Sequence, residues 1–283
     1  MEIKRVGVVG SGQMGQGIAQ VVATAGMEVI LTDLSEKLLK RAMERTSWGI
    51  HKLIEKGVLK PEQQDEILNR ITGTVNLEDM RGADVIIEAV SENESLKLEL
   101  FAMLDPMCPP ETIFASNTSS IPIARLAEAT MRQEQFLGIH FMNPAPVMEL
   151  VEIIPGPKTS KETLAVARSL CERLGKTAIE VKDSPGFVVN RILGPMINEA
   201  IYLLQEGVAS KEDIDKAMKL GTRHPVGPLT LADFVGLDTC LAIMETLHEQ
   251  MKDFKYKPCP LLKEYVEAGT LGVKSGEGFY KYK

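Results

Sequence analysis

Residues 5–33 read RVGVVGSGQMGQGIAQVVATAGMEVILTD and carry three patterns in succession. Arg5 to Gly10 is a short, nearly continuous apolar run, the pattern of a parallel strand buried on both faces. Glycines follow, and then Ile18, Val21, Val22 and Ala25 recur at helical spacing, with Gly26 placed as a C-cap. Residues 28–33 form a second strand pattern. The stretch therefore predicts a β-α-β unit. Inside it, Gly10-Ser11-Gly12-Gln13-Met14-Gly15 has the form G-x-G-x-x-G, and Asp33 follows 18 residues after the last glycine. Gly10 permits a tight turn, Gly12 lets a pyrophosphate approach the backbone, and Gly15 allows close helix–strand packing. The helix N-terminus then offers free N–H groups to phosphate. Asp33 stands where a ribose 2′-hydroxyl needs an acceptor and where a 2′-phosphate would be repelled, so NAD is expected over NADP. The alternative, a glycine-rich turn without a ligand, leaves Asp33 unexplained.

Working outward, residues 35–56 predict a charged helix capped by Ser35 and stopped at Gly57, and Pro61 opens a second short helix. Strand patterns recur at 84–90, 112–117, 136–141, 150–154 and 178–181, with helical segments before several of them. Alternating strands and helices indicate an α/β fold, a Rossmann-type, doubly wound, mostly parallel sheet. The last strands follow one another closely, so part of that edge is expected to be antiparallel. After Asp183 the pattern becomes all-helical, with helices expected at 185–205, 211–220, 228–252 and 260–268. Ser184 and Ser210 are expected as caps, Pro195 as a kink, and 272–282 as an ordered glycine-rich loop. These patterns predict two domains, 1–184 and 185–283.

The chain has 283 residues, 44% of them hydrophobic and 25% charged, as in ordinary globular proteins. Its 32 basic and 39 acidic residues give a net charge of −7, which argues against sequence-independent nucleic-acid binding. Cys108, Cys171, Cys240 and Cys259 lie far apart without a Cys-x-x-Cys, so no metal site is expected and the thiols read as core residues of a reducing compartment. The N-terminus runs directly into a strand pattern and no stretch is apolar enough to span a membrane, so a cytoplasmic location is expected.

Of the four histidines, His51 and His248 sit on charged helical segments and His224 in a loop. His140 ends a strand, is followed by the turn residues Asn143-Pro-Ala-Pro146, and has Glu152 on the next strand. The two side chains can face each other, which orients the imidazole and favours its protonated form. On residues alone this is as readily a structural pair as a catalytic one. Ser116-Asn-Thr-Ser119-Ser120 supplies hydroxyls at a strand's C-terminal end, where open α/β sheets bind ligands, although such residues also form simple turns.

Taken together the motifs resemble the 3-hydroxyacyl-CoA dehydrogenase family over essentially the whole chain, closest to its short-chain bacterial members. The resemblance rests on G-S-G-Q-M-G at 10–15, A-S-N-T-S-S at 115–120, H-F-M-N-P-A-P-V-M at 140–148, L-V-E-I-I at 150–154 and D-S-P-G-F-V-V-N-R at 183–191. H-P-V-G-P at 224–228, F-V-G-L-D at 234–238 and K-S-G-E-G-F-Y at 274–280 add to it. It implies reversible NAD-linked oxidation of (S)-3-hydroxybutyryl-CoA to acetoacetyl-CoA in fatty-acid or butanoate metabolism. The subunits would pair as a homodimer through the helical domain. By the resemblance His140 is the general base, Glu152 its orienting partner, and Ser119 and Asn190 hold the substrate. Glu92, Lys97 and Asn143 match cofactor positions. Asn190 lies beyond the expected boundary, so the site is expected between the domains. Met142 departs from the family, many of whose members have a second Phe there, a nearly volume-conserving change.

Segment 35–60 carries seven basic residues against three acidic, and Lys52 and Lys56 are i, i+4 neighbours on one face. A solvated helix explains such a run by itself. The resemblance places the CoA-binding segment here and makes both lysines candidate phosphate contacts. Two other functions are compatible with parts of the pattern: a dehydrogenase of a free hydroxy acid, which would not need the lysine face, and a non-catalytic dinucleotide-binding protein, which would not need the set Ser119, His140, Glu152 and Asn190.

Overall fold

The computed structural model describes residues 2–282. The chain divides into two compact units, Met1–Asp183 and Ser184–Lys283. The first begins with β1 (Arg5–Val9), α1 (Gln13–Thr24) and β2 (Glu28–Thr32), then α2 (Glu36–Glu55), α3 (Gln63–Asn69) and β3 (Ile71–Thr74). It continues through β4 (Val85–Glu88), α4 (Glu94–Leu104), β5 (Ile113–Ser116), α5 (Ile123–Ala127), β6 (Phe136–Phe141), β7 (Leu150–Pro155), α6 (Lys161–Arg173) and β8 (Thr177–Glu180).

These strands form one sheet in the order β3-β2-β1-β4-β5-β6-β7-β8. Every neighbouring pair is parallel except β6 with β7. Strand order reverses between β1 and β4, so a crevice opens beyond their C-terminal ends, where doubly wound sheets take their ligands. Alternate residues of the central strands bury both faces: Val6, Val8, Ile86 and Ile87 are all inaccessible to solvent. Each such side chain contributes roughly 1.5–3 kcal/mol relative to exposure. On α2 the buried positions Leu39, Ala42, Thr46 and Ile50 recur at helical spacing, and the Ser35 hydroxyl accepts from the Leu38 amide as its N-cap.

The sequence pattern contains no strand at 71–74. Ile-Thr-Gly-Thr is too short to show a period, and as an edge strand it buries little: only Ile71 is buried. The expected strand 84–90 stops at Glu88, because Val90 turns its amide back to the Glu88 carboxylate.

The second unit contains α7 (Val189–Gln205), α8 (Lys211–Gly221), α9 (Pro228–Val235), α10 (Leu237–Met251) and α11 (Pro260–Glu267). Two expectations are corrected here. The expected helix 228–252 is two helices, because Gly236 adopts φ +98° between them. Ser184 caps nothing: Gly186 and Phe187 have positive φ, α7 starts at Val189, and the Ser184 hydroxyl accepts from Arg191 instead. Pro195 lies inside α7, which runs on through it. Ser210 does cap α8, accepting from the Asp213 amide. Residues 272–282 are ordered around buried Asp233, which accepts from the amides of Phe279 and Tyr280 and from the Tyr282 hydroxyl.

Candidate active site

The nucleotide loop is built by three different steric demands. Gly10 has φ +97°, and a Cβ there would lie 2.7 Å from the Ala89 carbonyl oxygen at the end of β4. A Cβ on Gly15 would lie 1.7 Å from the Gly10 carbonyl oxygen, so α1 can approach β1 only with glycine. Gly12 differs: nothing lies within 4 Å of its Cβ position. That open space faces the start of α1, where Gly12 is the N-cap and no side chain satisfies the first amides. An anion fits there, drawn by uncapped N–H groups and the helix dipole. Ser11 donates both its amide (2.7 Å) and hydroxyl (2.6 Å) to Asp33 Oδ2, and the Leu34 amide donates to Oδ1 (2.7 Å). The Asp33 carboxylate is thereby fixed beside the glycine loop, and this donor and acceptor set suits the pyrophosphate and ribose of NAD. Met14 packs on the core beneath, and Gln13 Nε2 donates to Asn143 Oδ1 (3.1 Å), joining the glycine loop to the turn after β6.

His140 and Glu152 are direct register partners in the single antiparallel pairing of the sheet. Opposed residues point to one face, and His140 Nδ1 lies 2.7 Å from Glu152 Oε2, with Glu152 fully buried and His140 nearly so. A carboxylate held this way fixes the ring orientation. One residue further, the Phe141 amide donates to Asn117 Oδ1 (2.9 Å), which ties the end of β6 to the turn after β5.

That turn is organised by Glu92. Its Oε1 accepts from the amides of Ser119 (2.9 Å) and Ser120 (3.1 Å) and from the Ser120 hydroxyl (2.8 Å), and the Ser119 hydroxyl lies 3.4 Å away. Its Oε2 is 3.2 Å from Lys97 Nζ. Burial pushes the Glu92 carboxyl up, but the Lys97 charge and these donors outweigh it and hold the group below the usual carboxylate range. Lys97, expected as a cofactor contact, has a buried side chain placed between Glu92 and Glu88. It meets the site through Glu92 rather than at the surface.

Lys52 and Lys56 line one cleft of about 700 Å³ together with Arg45, Trp48 and the turn at Asn143. Lys52 Nζ pairs with Glu55 at 2.6 Å and lies 5.6 Å from the Trp48 ring centroid. Behind them Gln16 Oε1, Gln20 Nε2 and Thr46 Oγ1 are buried without a protein hydrogen-bond partner. Asn190 is on the helical unit, half-buried in the first turn of α7.

Several participants were not singled out from the sequence. Arg45, Trp48, Gln20 and Thr46 share the cleft face of α1 and α2, which a helical projection of 45, 48, 52 and 56 would have shown. Glu88 was passed over inside an apolar strand, where a lone acid in Val-Ile-Ile-Glu-Ala-Val was itself the signal.

Residues 5–184 match the family described as "3-hydroxyacyl-CoA dehydrogenase, NAD binding domain", and residues 186–282 match "3-hydroxyacyl-CoA dehydrogenase, C-terminal domain". The chain is 52% identical over 281 residues to the 3-hydroxybutyryl-CoA dehydrogenase of Bradyrhizobium diazoefficiens, covering 99% of this chain and 96% of that one. It is 45% identical over 278 residues to the enzyme of that name from Clostridioides difficile, covering 98% and 99%. The crystal structure of (S)-3-hydroxybutyryl-CoA dehydrogenase from Ralstonia eutropha superposes with a TM-score of 0.93 at 48% identity, over 100% of both chains. With both of its units matched and a complete nucleotide loop in the first, this chain is an NAD-binding oxidoreductase and belongs to the 3-hydroxyacyl-CoA dehydrogenase family.

Proposed function

We propose that the chain catalyses the reversible, NAD-dependent oxidation of (S)-3-hydroxybutyryl-CoA to acetoacetyl-CoA. The observation that carries the reading is the buried His140–Glu152 pair, near the C-terminal end of β6 and on the same sheet edge as the glycine loop. His140 takes the proton of the substrate 3-hydroxyl through Nε2, while Glu152 at Nδ1 stabilises the imidazolium that results. As the O–H pair of electrons becomes the second C–O bond, the C3–H bond leaves as hydride. NAD, when bound, supplies the acceptor for that hydride. In the reverse direction His140 returns the proton to the oxygen of the 3-oxo group.

Ser119 and Asn190 hold the C3 oxygen and the thioester region. Glu92 and Asn143 stand at the cofactor, with Lys97 behind Glu92. Lys52 and Lys56 meet the CoA phosphates, which answers how a chain of net charge −7 takes an anionic substrate: the cleft wall is locally cationic. The helical unit pairs two copies, a role supported by its exposed apolar side chains, among them Ile192 and Phe254. A cytoplasmic location suits four buried, free cysteines. Among the described residues no helix is long and apolar enough to cross a membrane.

The test is NADH absorbance with acetoacetyl-CoA. Oxidation of NADH by the pure protein is expected, and its absence under conditions where NADH binds overturns the proposal. Comparison with free 3-hydroxybutyrate separates the CoA thioester from a free acid, and a C4 to C16 series of 3-oxoacyl-CoA fixes the chain length.

A further inference from the structure

Glu88, the last residue of β4, is completely inaccessible to solvent and has no part in the chemistry described above. It stands at the crevice edge of the sheet, in register with Val9 of β1 on one side and Ser116 of β5 on the other. Its two oxygens serve different elements. Oε1 accepts from Lys97 Nζ of α4 (2.6 Å) and from the Val90 amide (2.7 Å), and Oε2 accepts from the Ser116 hydroxyl (2.6 Å).

Stability by itself is a weak account of this arrangement. Burial is the largest influence on Glu88 and raises its carboxyl above the ordinary range, even with an ammonium in contact. Among the described residues the one cation in the cluster is Lys97, shared between Glu88 and Glu92. Apolar residues of similar volume commonly match or exceed the stability of a buried ion cluster, and the neighbouring strand positions Val85, Ile86 and Ile87 are apolar.

What the carboxylate does is join elements. Ser116, held by Glu88, accepts the Thr118 amide on the same hydroxyl (3.1 Å), and the Glu88 carbonyl accepts the Asn117 amide (2.8 Å). The turn 117–120 is thus fastened from the strand side through Glu88. From the other side it is fastened through Glu92, whose counter-ion Lys97 Glu88 holds. We propose that Glu88 is a positioning residue for the reaction: its buried carboxylate holds Lys97 and Ser116 so that the turn 117–120 presents Ser119 in a single arrangement. The inference rests on the reading of Ser119 as a substrate contact given under Proposed function.

The experiment has two independent readouts. Amide hydrogen exchange of residues 117–121 is followed in the full chain without ligand, and kcat and KM are measured with NADH and acetoacetyl-CoA. The variants are Glu88→Gln, Ser116→Ala, Ser119→Ala and the double variant Glu88→Gln/Ser119→Ala. In Glu88→Gln the amides of Ser119 and Ser120 are expected to exchange about tenfold faster while those of β1 and β2 do not change, as loss of a local restraint predicts. Its kcat is expected to fall about tenfold, and the double variant to be within about twofold of Ser119→Ala alone, the mark of two residues acting through one path. Ser116→Ala shifts both readouts the same way by less, and it carries the test if Glu88→Gln does not fold. Unchanged exchange, acceleration spread over the whole sheet, or losses that multiply in the double variant overturn the inference. If Ser119→Ala retains wild-type kcat, the reading of Ser119 fails by itself, and exchange confined to 117–121 still decides whether Glu88 fixes the turn.

Discussion

Two clusters of ionisable side chains stand at the same edge of the sheet and are built in opposite ways. His140 and Glu152 face each other across β6 and β7, one donor and one acceptor, 12 residues apart and joined by a turn. Glu88, Lys97 and Glu92 place one cation between two carboxylates drawn from a strand end, a loop and a helix. The first cluster is a single imidazole held against a single carboxylate. The second surrounds two carboxylates with hydroxyl and amide donors beside one ammonium. On the proposed function the contrast separates two uses of charge: one pair takes a proton from the substrate, and the other holds the turn that carries Ser119.

The largest expected effect falls on the first cluster. His140→Gln is expected to lower kcat by about 10²–10⁴-fold, the range of a lost general base, while NADH affinity measured by fluorescence stays within a factor of about three. Near-wild-type turnover would remove His140 from the mechanism and reduce the His140–Glu152 pair to a structural one. Next comes the nucleotide side: Asp33→Ala is expected to raise KM for NAD about tenfold and to narrow the preference over NADP, because the ribose acceptor and the repulsion of a 2′-phosphate go together. Steady-state rates with both cofactors check it.

A smaller, pH-dependent signature distinguishes the two carboxylates of the second cluster. Glu88 has a raised pKa in the folded protein, so its contribution to stability is greatest at low pH and is lost as pH rises from the ordinary carboxylate range through its folded value. Glu92, with a lowered pKa, contributes stability above its unfolded value that is lost as pH falls through its folded one. Thermal melts from pH 4 to pH 8 should therefore show the deficit of Glu88→Gln relative to wild type shrinking as pH rises, and that of Glu92→Gln growing. Parallel curves would mean the two acids do not differ. The least effect is expected at the cleft. Lys56→Glu should raise KM for acetoacetyl-CoA about fivefold, less at high salt, with kcat unchanged, as screened contacts to phosphate predict.

Legibility in the sequence followed the range of each interaction. The unit β1–α1–β2 was readable because its requirements fall on single residues: Gly10 needs a positive φ, Gly15 has no room for a Cβ, and Asp33 directly follows β2. The second helix was readable from a charged, helix-favouring run between Ser35 and Gly57, and Ser35 does cap it. The break at Gly236 and the late start of α7 were missed, since a glycine within a helical pattern and a serine before a proline do not reveal the backbone angles that neighbours impose. Edge strand β3 was missed because it leans on β2 for its hydrogen bonds and has almost no buried face of its own.

The candidate site divides along the same line. Glycine spacing between a strand and a helix, with the acidic residue after β2, was enough to point to a dinucleotide site, because backbone sterics and local charge act within a few residues. That His140 meets Glu152 was settled by register, since a slip of one residue between β6 and β7 would turn one of them to the opposite face of the sheet. That Lys97 lies buried between two carboxylates, and that Glu88 ties β4 to the Ser119 turn, depend on residues up to 28 positions apart converging where strand order reverses. Such convergence has no periodicity to read, because it is a property of the closed sheet and of the low dielectric around it.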